Sequence, residues 1–93
     1  MSYDVVLSDD AFEVLAQLPL TVANALEQHI NRLAKDPARF SQPSCFPWPA
    51  GQRSDFEFDF DSKRYYLTPI FKYGQDEQQI HVIVIGYIIV PLP

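Results

Sequence analysis

From Asp55 to Asp61 the chain alternates acid and phenylalanine without a break, Asp-Phe-Glu-Phe-Asp-Phe-Asp. A period of two predicts a strand with one wet face and one buried face. Burying each of Phe56, Phe58 and Phe60 is worth roughly 1.5–3 kcal/mol, so that side turns to the core. Asp55, Glu57, Asp59 and Asp61 then form one row on the opposite face. Carboxylates about 7 Å apart repel only weakly through water, so burial decides the orientation.

Elsewhere the pattern changes period. Tyr3 to Leu7 is a short strand, with Val5 and Val6 as its β-branched residues. Ser8 is placed to cap a helix whose first turn carries Asp9 and Asp10, where the helix dipole favours them. Ala11, Val14, Leu15 and Leu18 make its apolar stripe. Pro19 ends that helix and opens the next, Leu20 to Lys35, with the stripe Val22, Ala23, Leu26, Ile30 and Leu33. His29 falls at the border of this stripe. Asp36-Pro37 stops the second helix, because a residue before proline avoids the helical region.

Four prolines and little periodicity make Asp36 to Gln52 a loop. Phe40, Phe46 and Trp48 are expected to be pinned under the domain; Phe46-Pro47-Trp48-Pro49 as a partner-binding tip is the alternative. Three strands close the chain, Arg53–Phe60, Arg64–Tyr73 and Gln79–Val90. Asp61-Ser62 is the first turn and Gly74-Gln75-Asp76-Glu77 the second. The resulting order β-α-α-β-β-β predicts one α+β domain over residues 1–93, a helical hairpin packed on one face of a mostly antiparallel sheet.

With those turns, Phe58 stands across from Tyr65, Phe56 from Leu67, Phe71 from Ile80 and Leu67 from Val84 on the helix-covered face. The open face collects Glu57, Asp59, Arg64, Tyr66, Thr68, Ile70, His81, Ile83, Ile85 and Tyr87. Asp59 lies opposite Arg64, and Arg64 beside Tyr87. Two readings fit this mixture. In one it is a shallow face for phosphodiester cleavage: Glu57 as base toward a ribose hydroxyl, Arg64 stabilising phosphorane charge, His81 or Tyr87 protonating the leaving oxygen. In the other it is cross-strand pairing, with the isoleucines covered by a partner. Residue types alone favour pairing.

Charge and composition narrow the classes. Seven basic residues against twelve acidic ones give a net charge of −5, so the chain lacks the basic footprint of a non-specific nucleic-acid binder. Cys45 is alone and no Cys/His spacing suits zinc, which fits a reducing cytoplasm without a structural metal. The start of the chain does not read as a signal peptide, and Val82 to Val90 is about half the ~18–20 residues of a membrane helix.

Several stretches resemble one family. Tyr3-Asp4-Val5-Val6-Leu7-Ser8 followed by Ala11 is similar to the opening of RelE/ParE-type toxins, and Leu33-Ala34-Lys35-Asp36-Pro37 to the end of their second helix. Pro49-Ala50-Gly51 resembles the turn before their second strand, Tyr65-Tyr66-Leu67 their Tyr-Arg-aliphatic triplet, and Ile80 to Gly86 their last strand. The resemblance implies a toxin of a type II toxin–antitoxin pair. That means a cofactor-free, ribosome-dependent mRNA endoribonuclease or a gyrase poison, neutralised by a cognate antitoxin. Its catalytic residues would be Glu57, Arg64, His81 and Tyr87, with Arg53, Lys63, Tyr66 and Lys72 contacting substrate on the mRNA or ribosome.

The chain departs from the pattern in three ways. Tyr66 stands where the family's arginine is usual, only Tyr87 remains of its basic cluster, and the whole is acidic. The alternative is a RelE-like interaction module without catalysis. For that module the apolar tail Ile88-Ile89-Val90-Pro91-Leu92-Pro93 is a surface for a partner chain or a second copy.

Overall fold

Ser8 organises the first third of the molecule. In the computed structural model, which describes residues 2–45, 49–75 and 78–93, its Oγ accepts from Ala11 N at 3.0 Å and donates to the Ile83 carbonyl at 2.7 Å. One side chain therefore caps α1 (Asp9–Gln17) and ties it to the last strand. The helix stops where Leu18 N bonds back to Leu15 O, one residue before Pro19. α2 (Leu20–Lys35) follows at once, burying Val22, Ala23, Leu26, Ile30, Leu33 and Ala34.

The sheet contains β1 (Asp4–Leu7), β2 (Gln42–Pro43), β3 (Gln52–Arg53), β4 (Phe56–Phe60), β5 (Lys63–Tyr73) and β6 (Gln79–Pro91). Its order is β1-β6-β5-β3-β2, and β4 continues β3 along β5 in the same register. All pairings are antiparallel except β1 with β6, which is parallel from Asp4↔Gln79 to Leu7↔Val82. The first hairpin is as expected: Phe56 faces Leu67, Phe58 faces Tyr65 and Asp59 faces Arg64. Its two turn residues, Asp61 and Ser62, both have positive φ, the combination whose twist matches a two-residue hairpin.

The second hairpin corrects the expected register. Phe71 pairs with Val82, and Leu67 with Tyr87. Near the turn the strands are displaced by two residues, which keeps each side chain on its face. Ile70 pairs with Val84 while Phe71 pairs with Val82, so Ile83 is an extra, unpaired residue. A one-residue bulge reverses the pleat beyond it. Ile85, Tyr87 and Ile89 therefore share the face of Pro69, Leu67 and Tyr65, and Val84, Gly86, Ile88 and Val90 take the open face. Ile85 accordingly joins the core, with Leu26, Leu33, Leu67, Phe71, Ile80 and Val82.

The expectation for Phe46 and Trp48, and the Asp76-Glu77 part of the second turn, lie outside the described residues. Phe40 is not pinned: it is 45% exposed, with the Arg39 guanidinium 5.4 Å from its ring centroid. Gly51 has φ +141°, and a Cβ there would sit 2.7 Å from the Phe71 carbonyl oxygen. Gly51→Ala is therefore expected to cost about 1–3 kcal/mol, read as a lower urea midpoint at constant m-value.

Candidate functional site

The open face is dominated by one arginine and its acids. Arg64 Nε donates to Asp59 Oδ1 at 2.8 Å and Nη2 to Asp59 Oδ2 at 3.0 Å, while Glu57 Oε1 lies 3.1 Å from Nε. This is a two-pronged grip of the kind an arginine offers a phosphate, here filled by the protein's own carboxylates. The hydrogen bonds from Arg64 hold the Asp59 carboxyl below its ordinary value, and Asp59 raises the arginine in turn. Beside them Tyr66 stands opposite Glu57, and Thr68 Oγ1 donates to Asp55 Oδ1 at 3.3 Å. Asp55, Glu57, Tyr66, Thr68 and Ile88 line a shallow recess of about 370 Å³.

The remaining candidates are elsewhere. His81 pairs with Lys72, eight residues along β5 from Arg64, which is about 26 Å of strand. His81 Nε2 there meets Gln79 Oε1 at 3.2 Å, in a separate recess bounded by Gly74 and Ile83. Tyr87 corrects the expectation most sharply. The bulge at Ile83 puts it on the helix side, where it lines a recess with Val14 and Leu18, and not beside Arg64, whose partner on β6 is Val90. Lys63 is exposed on the side of Phe60, and Arg53 sits at the β2–β3 edge. Of the eight residues, the fold gathers Glu57, Arg64 and Tyr66. It pairs His81 with Lys72 and separates the rest.

A second constellation escaped the sequence reading. Ser54 is buried on the helix side of the sheet, at the step between β3 and β4, and its Oγ lies 2.9 Å from His29 Nε2. The imidazole stacks on Phe56 with centroids 4.7 Å apart. The signal was a serine on the phenylalanine side of the alternation, a polar group bound to need a buried partner. Around this pair, where β2 begins, Arg39, Ser41, Gln42, Arg53 and Asp55 complete a recess of about 340 Å³. Among the described residues, no group of three or more His, Cys, Asp or Glu is placed to hold a metal ion.

Burial, helped by the charge of Arg32, lowers the His29 pKa below 6.5; a hydrogen bond with the Ser54 backbone and the charge of Asp55 oppose this only in part. The unfolded chain then binds more protons than the folded one just below pH 6.5. Stability from this group is fully present above that pH and is lost as pH falls through the lowered value. Urea midpoints measured from pH 7.5 to pH 5 are expected to drop in the wild type, with a shallower slope in His29→Gln.

Comparison with solved structures adds the fold relatives. The chain matches over 95% of its length, and all of the other's, a chain of the RelBE2 toxin–antitoxin complex from Mycobacterium tuberculosis, with a TM-score of 0.62 at 17% identity. It matches an arginine-to-alanine double mutant of the E. coli toxin RelE in the free state over 92% of its own length and 83% of that chain, with a TM-score of 0.58 at 19% identity. For the intact E. coli RelBE toxin–antitoxin complex the shares are 91% and 95%, the TM-score 0.57 and the identity 16%. No family sequence profile matches the chain, and no characterised protein matches it by sequence alone. The fold is RelE-like, α+β with two helices on a mixed, mostly antiparallel sheet. Among the described residues, no helix is long and apolar enough to cross a membrane.

Proposed function

From the premise of a RelE-like fold, we propose that this chain is the toxin-type component of a type II toxin–antitoxin pair, and that it acts in the cytoplasm by binding protein rather than by cutting RNA. The observation that carries this reading is the state of Arg64. A phosphate approaching the open face would have to displace Asp59 and Glu57 from the guanidinium, with Asp55 next along the same face. His81 stands too far along the sheet, and Tyr87 on the wrong face, to complete an acid–base pair with Glu57.

Binding, in contrast, has an obvious seat. Among the described residues β1 covers β6 only as far as Val82, which leaves the outer edge of its last eight residues, Val84 to Pro91, without a paired strand. Tyr87 and Ile89 are exposed on one side of that stretch and Ile88 and Val90 on the other, with no charge among them. An uncharged edge that is apolar on both faces suits the addition of an extended segment from a partner. Two of the structures sharing the fold hold a toxin with its antitoxin, and the antitoxin is the occupant proposed here. A second copy of the chain is the competing one.

Cleavage of mRNA on the ribosome is the second reading, favoured by Glu57 and Tyr66 lining one recess with the Arg64 guanidinium against Glu57. Expression from a tightly repressed promoter, with growth and a translated reporter mRNA followed together, separates the two. Intact message at confirmed soluble expression, with a small protein from the neighbouring reading frame co-purifying, is the expected result. Codon-phased cuts that disappear in Arg64→Ala would overturn it, and an SOS response with intact message would identify a gyrase-directed toxin.

A further inference from the structure

The recess around His29 and Ser54 lies apart from the proposed partner edge of β6, shares only Asp55 with the recess of the open face, and brings two arginines together in a chain of net charge −5. Arg39 arrives from the turn after α2 and Arg53 from β3, fourteen residues apart in sequence and on one rim in space. Among the described residues neither guanidinium has a carboxylate within 4 Å, whereas Arg64 has two.

The two arginines are also held differently. The Gln42 carboxamide oxygen, in the orientation that satisfies both side chains, accepts from Arg53 Nε at 3.3 Å and Nη2 at 3.2 Å, which orients the fork without neutralising it. Arg39, an exposed residue, lies over the Phe40 ring, its guanidinium carbon 5.4 Å from the ring centroid, which steadies the cation. The floor is polar. Ser54 Oγ and His29 Nε2 face one another at 2.9 Å, and Ser41 Oγ donates to the Pro37 carbonyl at 2.6 Å.

We propose that this recess is a phosphate-binding site, with Arg39 and Arg53 as its charged clamps and the His29–Ser54 pair as its polar floor. Two guanidiniums on one rim repel each other, and an anion between them turns that repulsion into two charge-assisted contacts. Asp55, on the same rim, selects against a second anionic group beside the first and suits a hydroxyl or amine donor. The ligand class is therefore a phosphate monoester whose organic part carries hydrogen-bond donors. At about 340 Å³ the recess falls within the ~300–1,000 Å³ usual for small-molecule sites.

The test is a heteronuclear NMR titration of the full chain with inorganic phosphate and, separately, adenosine 5′-monophosphate, at ionic strength held constant with chloride. Saturable shifts centred on His29, Arg39 and Arg53 are expected at about millimolar ligand, weakened about tenfold or more in Arg53→Gln and in Arg39→Gln. Arg39 is exposed on a turn, so the second variant keeps the fold even if the first disturbs β3. Lys35→Gln should bind as wild type does. Tighter binding of the nucleotide than of inorganic phosphate supports the monoester ligand, and equal or weaker binding overturns that ligand class. Shifts that fail to saturate, or that survive Arg39→Gln unchanged, overturn the site. Neither result depends on whether a partner docks at β6.

Discussion

The double variant I88K/V90K is expected to lose its partner by more than about a hundredfold while folding as the wild type does. Ile88 is 59% exposed and Val90 41% exposed, on the open face of β6 opposite Tyr66 and Arg64. Neither supports the core, so lysine at these positions has little to disrupt within the fold. In a complex formed by strand addition both would be covered, and each forfeits roughly 1.5–3 kcal/mol of burial, a combined loss that exceeds two factors of ten. Lysine on an exposed edge is also a device by which sheets discourage pairing with other chains.

The measurement is co-purification of the tagged chain with the product of the neighbouring reading frame, followed by titration of the two purified proteins. A second readout is the concentration dependence of sedimentation for the chain alone, which detects self-pairing at the same edge. Partner capture at the wild-type ratio by I88K/V90K would remove β6 from the proposed interface. Loss of self-association with the antitoxin still bound would assign the edge to a second copy.

The largest stability effect is expected at Phe71. Its side chain is fully buried in the longest ladder of the sheet, with Val82 across on β6, Gln52 across on β3 and the Tyr73 ring edge-on at 5.7 Å. Truncation to alanine removes the ring and leaves a cavity that the surrounding β-strands, tied by backbone hydrogen bonds, cannot close. A cost of about 3–5 kcal/mol is expected, against a total stability of about 5–15 kcal/mol for a domain of this kind. The corresponding fall in Tm is about 15–30 °C. Tyr73, in the same strand but 48% exposed, supplies the comparison, since Tyr73→Ala should cost less than half as much. A Phe71→Ala midpoint indistinguishable from that of Tyr73→Ala would contradict the placement of Phe71 in the core.

What could be read in advance follows the range over which residues interact. The Ser8 cap, the break at Pro19, the stop at Asp36-Pro37 and the Asp61-Ser62 hairpin all depend on neighbours within a few positions, and all are found where the pattern put them. The acid–phenylalanine alternation also carried its long-range consequence correctly, because a two-residue turn leaves only one register for the strands it joins.

The second hairpin had no such constraint. Its longer turn permits several registers, and nothing in Ile80 to Tyr87 marks one isoleucine as the extra residue. Ile83 is held where it is by Ser8, seventy-five positions away, whose hydroxyl donates to its carbonyl, and by parallel pairing with β1, which ends at Val82. The resulting reversal of the pleat moved Tyr87 away from Arg64 and brought Ile85 into the core.

The His29–Ser54 pair shows the same division. His29 stood out as a histidine bordering an apolar stripe and Ser54 did not, and only the packing of α2 against the sheet brings them together. By itself, then, the sequence determined the two helices, the order of the longer strands, the buried face of β4 and the first hairpin, through local sterics and side-chain period, but not β2, which lies in the stretch expected to be a loop. The tertiary structure alone decided the bulge, the state of Arg64 and the membership of each recess, because these depend on contacts that form only when distant segments meet.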